Sequence, residues 1–145
     1  MSRRRIGCKG KYALGVHEFG MAYHYALNYQ DWLMEYNALA DPSTGLRYDK
    51  DHVQSSNQVD TTEANGIRRA ELREHMKIVE QAAIEADPDL YRFILLGVTM
   101  EEATYDILRR KYDMPASRGT FYDRRRKFYW VLWQHIEKFG TKGTI

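Results

Sequence analysis

Residues 114–130 read MPASRGTFYDRRRKFYW and combine a turn, a helix start and a dense run of arginine. Pro115 disfavours helical backbone at Met114, so a helix that precedes it is expected to end there. Ser117 is suited to cap the next helix, because its hydroxyl can accept a hydrogen bond from an unpaired backbone N–H. The apolar spacing that follows predicts one long helix over residues 118 to about 138.

The helix predicted after the turn has an apolar face and an adjacent polar face. Its apolar residues recur at helical spacing and are Phe121, Phe128, Leu132 and Ile136. With these side chains turned inward, a step of about 100° per residue assigns four residues to the adjacent outer face. They are Arg118, Gly119, Tyr122 and Arg126. A DNA-recognition helix needs this layout, because its first turns enter the major groove while its apolar side holds it on the protein.

The residues before the turn predict the other helix of a helix-turn-helix. A short apolar helix is expected over residues 89–96, with Gly97 breaking it. Thr99 and Glu102 have the Thr-x-x-Glu spacing of a capping box, in which each side chain bonds the backbone N–H of the other. The capping box predicts a second helix that runs to about Lys111, directly before the turn.

The first half of the chain predicts a pair of helices. The first is expected over residues 20–40, where an apolar-aromatic stripe is formed by Met21, Tyr25, Tyr29, Trp32, Leu33 and Tyr36. Residues 41–60 are polar and aperiodic, which predicts an exposed loop. Asp60 and Glu63 form a capping box that starts the second helix, and this helix ends near Pro88. Its apolar stripe consists of Leu72, Met76, Val79 and Ala83.

These elements predict an all-α protein in which an antiparallel helical hairpin is followed by a C-terminal helix-turn-helix. The expected organisation is a basic N-terminal arm over residues 1–19, the hairpin over residues 20–87 and a DNA-binding region over residues 88–145. The hairpin is the expected surface for forming a homodimer or for contacting another partner.

The composition is that of a globular domain. The chain has 145 residues, 43% of them hydrophobic and 29% charged, with 3 prolines and 10 glycines, which argues against disorder. Its one cysteine, Cys8, cannot form an intramolecular disulfide. The sequence contains no apolar run long enough for a membrane span and starts without the apolar core of a signal peptide. We therefore expect a soluble cytoplasmic protein that does not enter a membrane.

Charge is distributed unevenly along the chain, although the net charge is only +2. Residues 1–11 contain five basic residues and no acidic one, and residues 109–145 contain 10 basic and 3 acidic residues. Residues 12–108 contain 7 basic and 17 acidic residues. Basic ends around an acidic middle favour a surface that faces a polyanion.

The basic helix supplies the candidate DNA contacts, which are Ser117, Arg118, Gly119, Thr120, Tyr122, Arg124, Arg125, Arg126 and Lys127. Arg118 can pair bidentately with a guanine edge, and Gly119 allows close approach. The hydroxyls of Ser117 and Thr120 can reach phosphates or bases. Arg125 falls near the inward face, where it either extends outward or pairs with an acid. The arm residues Arg3, Arg4 and Arg5 are candidates for phosphate or minor-groove contacts.

Other functions fit the sequence less well. The five histidines are scattered without an acid and a nucleophile in a recognisable order, and no glycine-rich phosphate loop occurs. We therefore expect no enzyme, no metal site and no cofactor. Three alternatives to a regulator of transcription remain open. The chain could be a small-terminase-like DNA-packaging subunit, or a helical adaptor that binds a protein such as RNA polymerase. The basic helix could also pack against acidic residues of its own chain or of a partner.

The run MPASRGTFYDRRRKFY over residues 114–129 resembles the C-terminal region of RinA/ArpU-type late-gene regulators from phages and prophages of Gram-positive bacteria. The run EQAAIEADPDL over residues 80–90 is similar to the same group, and the likeness extends from about Tyr23 onward. The C-terminal part of that family is similar to the promoter-reading fourth region of sigma factors. The resemblance implies double-stranded DNA binding through Ser117, Arg118, Thr120, Tyr122 and the arginines that follow. This chain departs from the pattern in its turn, which is longer and contains proline.

Overall fold

The computed structural model describes residues 10–40 and 55–143, without the side chains of residues 55–61 and 140–143. Within these ranges the chain forms helices and no strand, which confirms the all-α prediction. The helices are α1 (Val16–Leu27), α2 (Tyr29–Ala40), α3 (Ser55–Ala86), α4 (Tyr91–Thr99), α5 (Tyr105–Tyr112) and α6 (Arg118–Gly143). None of the helices in these ranges combines the length and hydropathy that a bilayer crossing requires.

The chain divides into two compact units, with boundaries after Asn28 and after Lys77. The first unit, here called the terminal unit, contains the residues before the first boundary and those after the second. The second, here called the hairpin unit, contains residues 29–77. These boundaries fall at other places than the expected ones at residues 19 and 87, because the end of α3 clusters with the helix-turn-helix elements rather than with α2.

Helices α2 and α3 pair in antiparallel fashion within the hairpin unit. The ring of Trp32 stacks on that of His75, with centroids 4.9 Å apart. Further along, both carboxylate oxygens of Glu35 accept hydrogen bonds from the guanidinium of Arg68, at 2.8 and 3.1 Å. A later residue of α2 therefore contacts an earlier residue of α3, which is the order of contacts in an antiparallel pair. Burial lowers the pKa of His75, so the stacked ring favours its neutral form.

The first predicted helix is two helices in the structure, so a single helix over residues 20–40 was wrong. α1 already begins at Val16, where the backbone N–H of Gly15 donates to the Glu18 carboxylate at 3.0 Å and thereby holds the first turn. It ends at Leu27 and is capped by Asn28, whose side-chain amide donates to the His24 carbonyl at 3.2 Å. The predicted stripe is also shifted, because Met21 is 57% exposed while Ala22 and Ala26 are fully buried.

Helix α3 begins at Ser55, so the predicted loop to residue 60 and the predicted start at Asp60 were wrong. Residues 55–65 contain neither glycine nor proline, and nothing in their backbone chemistry stops the helix from continuing towards its N-terminus. The predicted apolar stripe is confirmed, because Leu72, Met76, Val79 and Ala83 are all buried. Residues 41–54, the rest of the predicted loop, lie outside the described part of the chain.

Helix α4 continues through Gly97 and ends at Thr99. The predictions that Gly97 breaks this helix and that Thr99 caps the next one were therefore wrong. The Thr99 hydroxyl donates to the Leu95 carbonyl of its own helix at 2.7 Å instead of capping a new one. The cap of α5 is Thr104, whose hydroxyl accepts from the backbone N–H of Ile107 at 3.4 Å. Thr99 and Thr104 are both candidates for the cap of α5, and the spacing of Glu102 from Thr99 favoured Thr99, which is not the cap.

The core of the terminal unit is built where α1 and α4 pack on α6 and on each other, and α5 packs on α4. Gly97 of α4 lies close to Phe121 of α6 and to Leu108 of α5. A Cβ atom added there would lie 3.2 Å from Cζ of Phe121 and 3.5 Å from a methyl of Leu108. Buried side chains of this unit include Leu14, Ala22, Ala26, Val79, Leu90, Ile94, Val98, Leu108, Met114, Phe121, Phe128, Tyr129 and Leu132.

Replacing Gly97 by leucine is expected to destabilise the fold by about 1–3 kcal/mol, because the larger side chain overpacks the contact with Phe121. Gly20 is the matched control, since it also lies within a helix of the terminal unit but has nothing within 4 Å of an added Cβ. Gly20→Leu should raise the free energy of unfolding by about 0.5–1 kcal/mol, because leucine favours helix over glycine. Urea titrations followed by circular dichroism measure both, and a Gly97→Leu variant as stable as the wild type would contradict the assigned packing.

Candidate nucleic-acid interface

The turn between α5 and α6 consists of residues 113–117. Asp113 ends α5 in the left-handed conformation, with φ 58° and ψ 40°, which aspartate tolerates better than most residues. The backbone N–H of Met114 then bonds the Leu108 carbonyl at 3.2 Å, and the Met114 side chain is buried. Pro115 lies in the same non-helical segment. The predicted interruption between the two helices, over residues 112–116, is therefore confirmed to within one residue.

Two side chains of α5 bind backbone carbonyls of the turn. The Tyr105 hydroxyl donates to the Ala116 carbonyl at 2.9 Å, and Nη1 of Arg109 donates to the Met114 carbonyl at 2.8 Å. Both bonds run from α5 to the segment that leads into α6, so they fix where α6 begins relative to α5. Sequence reasoning missed both residues, because a hydrogen bond from a side chain to a backbone carbonyl leaves no pattern in the spacing.

Ser117 caps α6, as predicted. Its hydroxyl oxygen accepts the backbone N–H of Thr120 at 3.2 Å and also lies 3.1 Å from the Thr120 hydroxyl. Residues 117–120 are all exposed. The first turn of α6 therefore presents the predicted residues Ser117, Arg118, Gly119 and Thr120 to the surroundings.

The apolar face of α6 anchors this exposed turn. Phe121 is 2% exposed, Phe128 and Leu132 are fully buried, and Ile136 is only half-buried. Tyr129 adds to the anchor, since its ring lies 5.0 Å from that of Phe19 on α1, edge to face. The inward side predicted for this helix is thus largely confirmed.

Arg118 projects from the first turn of α6 over the start of α5. Its guanidinium lies 4.7 Å from the ring centroid of Tyr105, and Nη2 is 3.1 Å from a carboxylate oxygen of Asp106. Both members of the ion pair are well exposed, at 59% and 65% of their side-chain surface. The guanidinium therefore contacts both groups while most of the Arg118 side chain remains accessible.

Gly119 and Tyr122 differ in exposure, although both were assigned to the outer face. Gly119 is exposed, and an added Cβ would meet nothing within 4 Å. The fold itself therefore does not require a glycine there. Tyr122 is half-buried, with its ring 5.4 Å from Phe121 and 6.4 Å from Tyr105.

Arg125 turns towards the body of the terminal unit. Its guanidinium lies 5.8 Å from the ring centroid of Tyr122 and 5.6 Å from that of Tyr129, and it forms no ion pair with a described carboxylate. It also lines a small pocket together with Tyr23 and Glu101, whose side chains are hydrogen-bonded at 2.9 Å. The Tyr129 hydroxyl is buried beside the Arg125 guanidinium, and burial raises the pKa of Tyr129 to about 12.

Two further arginines of the run pair with carboxylates of the same chain. Nε of Arg124 is 3.0 Å from Asp87, and its Nη1 contacts Asp123. Arg126 lies 3.8 Å from the same Asp123 carboxylate. Each keeps about two fifths of its side chain exposed. Arg124 thus forms a contact of the kind expected from a packing helix, since Asp87 belongs to the acidic middle of the chain.

The segment before α1 lies against the outer side of α6. The Tyr12 ring packs edge to face on that of Trp130, with centroids 5.4 Å apart. The ammonium groups of Lys11 and Lys127 lie 5.4 and 5.9 Å from the same Tyr12 ring. The predicted contact residue Lys127 is therefore adjacent to the segment that leads back to the arm. Arg3, Arg4 and Arg5 themselves lie outside the described residues.

The last turn of α5 adds cations that the sequence analysis did not single out. Arg109, Arg110 and Lys111 are all exposed, and none forms an ion pair with a carboxylate in the described ranges. Positive charge at the C-terminus of a helix is favoured by the helix dipole, so these residues also have a local role. In sequence they lie only a few residues before the turn and the basic start of α6.

Within the described residues, no group of three or more His, Cys, Asp or Glu side chains is arranged to hold a metal ion. Comparisons with models of known protein families, with curated proteins and with solved structures gave no match to this chain.

Tyr105→Phe is expected to lower the free energy of unfolding by about 0.5–1.5 kcal/mol, because the turn loses the hydrogen bond to the carbonyl of the buried residue Ala116. Tyr122→Phe is the matched control, because it removes a hydroxyl from a neighbouring half-buried ring for which the described part of the chain provides no hydrogen bond. Thermal unfolding followed by circular dichroism compares the two. Equal losses of stability in the two variants would show that the hydrogen bond from Tyr105 to the Ala116 carbonyl does not stabilise the fold.

Proposed function

We propose that this protein binds double-stranded DNA sequence-specifically through α5, the turn and α6, with α6 as the recognition helix. The observation that carries the proposal is the first turn of α6. It exposes Arg118, Gly119 and Thr120 directly before Phe121, which anchors the helix in the core. A recognition helix uses its N-terminal residues in this way, with base contacts at the exposed start and an apolar side on the scaffold.

Cations on three segments support the proposal, all of them within the terminal unit. The exposed ones are Lys11 before α1, Arg109, Arg110 and Lys111 at the end of α5, and Arg118 at the start of α6. Arg126 and Lys127 on α6 are half-buried. Cations of this kind bind the phosphates that flank a groove, while a guanidinium at the helix start reads base edges. Arg124 and Arg125 contribute less in this proposal, since one is paired with Asp87 and the other lies over two tyrosine rings.

The biological setting of the proposal rests on the resemblance to RinA/ArpU-type proteins. It describes a regulator of phage or prophage transcription that acts in the cytoplasm of a bacterial host, without catalytic activity. The hairpin unit would supply a homodimer contact or a contact to RNA polymerase. Half-buried aromatic side chains on α2, such as Trp32 and Tyr36, are suited to such a contact because a pair of helices cannot enclose them fully.

The DNA-packaging subunit and the protein-binding adaptor predict different behaviour in solution. A packaging subunit of the small-terminase kind should form rings that light scattering detects, whereas a regulator should be a monomer or dimer. An adaptor should bind DNA weakly or without dependence on salt. The ion pairs of Arg124 and Arg126 with carboxylates of the same chain are the observation that favours the adaptor.

Fluorescence anisotropy with labelled duplex DNA tests the proposal. If about six phosphates are neutralised, the affinity should fall on the order of 10³-fold between 50 and 200 mM salt. Arg118→Ala should weaken binding to a preferred duplex by about 1–3 kcal/mol, because one bidentate base contact is lost. Arg73→Ala, an exposed cation of the hairpin unit, is the control and should change the affinity little. Salt-independent binding, or no binding, would overturn the proposal.

Gly119→Ala separates folding from DNA binding. The methyl group has open space in the free protein and alanine favours helix, so the variant should be at least as stable as the wild type. If the first turn approaches a base or phosphate closely, the same methyl group should weaken DNA binding by about tenfold, equivalent to ~1.4 kcal/mol. Thermal unfolding and anisotropy are measured on one preparation, and unchanged affinity would exclude close approach at this residue.

A further inference from the structure

Arg118 differs from the other cations of the interface in how it is held. Its guanidinium lies between the ring of Tyr105 and the carboxylate of Asp106, which are consecutive residues in the first turn of α5. Of the other arginines on α6, Arg124 pairs with Asp87 and Asp123, and Arg126 pairs with Asp123. Among the arginines that the structure describes, Arg118 is the one whose side chain joins the first turn of α6 to the first turn of α5.

The Asp106 contact occupies little of the hydrogen-bonding capacity of Arg118. A guanidinium carries five N–H donors in a planar fork, and one amino group, Nη2, is directed to the carboxylate. The remaining donors are still available, since the side chain is 59% exposed. The Tyr105 ring under the guanidinium restricts the plane of the fork further, because arginine stacks on aromatic faces.

The Asp106 contact also changes what the guanidinium can bind well. A carboxylate 3.1 Å away largely cancels its net charge as seen from a phosphate, and the carboxylate itself repels phosphate. Hydrogen bonds from Arg118 to neutral acceptors are weakened much less by the Asp106 carboxylate, because they depend more on direction than on net charge. A paired, oriented guanidinium therefore favours the O6 and N7 atoms of a guanine over a phosphate oxygen.

We infer that Asp106 is a specificity-determining residue, which with Tyr105 orients Arg118 for reading a guanine base and lowers its affinity for phosphates. Asp106 is a positioning residue, because it acts through Arg118. The inference rests on the proposed function. It adds that the site recognises guanine and that Asp106 makes Arg118 prefer guanine to phosphate. Without Asp106, Arg118 becomes a free cation that binds any duplex more tightly and discriminates less.

The test compares Asp106→Ala with Glu102→Ala in the full chain. Glu102 is an exposed carboxylate in the turn before α5 and forms no ion pair in the described part of the structure, so the control removes the same charge without releasing Arg118. A library of 30-base-pair duplexes with a random core is first selected with the wild-type protein and sequenced. Anisotropy then measures each protein on the selected duplex and on a scrambled duplex, over a range of salt concentrations, after circular dichroism has verified folding.

For Asp106→Ala we expect the affinity for scrambled duplex to rise about two- to five-fold, the size of an exposed ion-pair effect. The ratio of affinities for selected and scrambled duplex should fall about five-fold or more, as expected when one base contact is lost. The slope of log affinity against log salt concentration should steepen by about one, because Arg118 now neutralises a phosphate. A second selection with the variant should lose the preference for guanine at one position.

Other outcomes overturn the inference. Equal changes on both duplexes, matching those of Glu102→Ala, would show only a general charge effect. A wild-type protein that binds DNA without any sequence preference, or that selects no guanine, would exclude base reading by Arg118 while leaving DNA binding intact. A wild-type protein that binds neither duplex at any salt concentration would refute the proposed function itself.

Discussion

The contact between Gly97 and Phe121 is the constraint on which the rest of the terminal unit depends. Because glycine has no side chain, α4 can approach α6 so closely that an added Cβ atom would lie only 3.2 Å from Cζ of Phe121. Phe121 belongs to the first turns of α6 and also lies 5.9 Å from the Tyr105 ring. One buried ring thus fixes the start of α6 against both α4 and α5, and the residues directly before it must face outward.

The three arginines of residues 124–126 are consecutive in sequence, but their side chains lie in three different surroundings. Successive residues of a helix point about 100° apart, so a continuous run cannot form one continuous surface. Arg124 faces Asp87, Arg125 lies over the rings of Tyr122 and Tyr129, and Arg126 lies near Asp123. The accessible charge at the candidate interface is therefore assembled from several elements, and the run itself supplies only part of it.

The elements that could be predicted from the sequence are those with a local chemical cause. Ser117 capping α6 and the apolar faces of α3 and α6 follow from one or two turns of sequence, and the structure has them. The wrong predictions concern residues whose role depends on distant partners. Gly97 has the pattern of a helix breaker, and only the position of Phe121 shows that it is a packing residue. The contacts of Tyr105 and Arg109 with the turn likewise exist only once the chain is folded.

The bonds that tether the turn have a consequence for changes in chain length. Loops that connect helices commonly accept insertions and deletions. Here the Tyr105 hydroxyl must reach a carbonyl 11 residues away, and Arg109 must reach another one 5 residues away. Removing or adding one residue between them would displace both acceptors and rotate the start of α6 about its axis. Among sequences that keep both Tyr105 and Arg109, variation in length should therefore be rare at this turn and more frequent where no side chain holds the backbone.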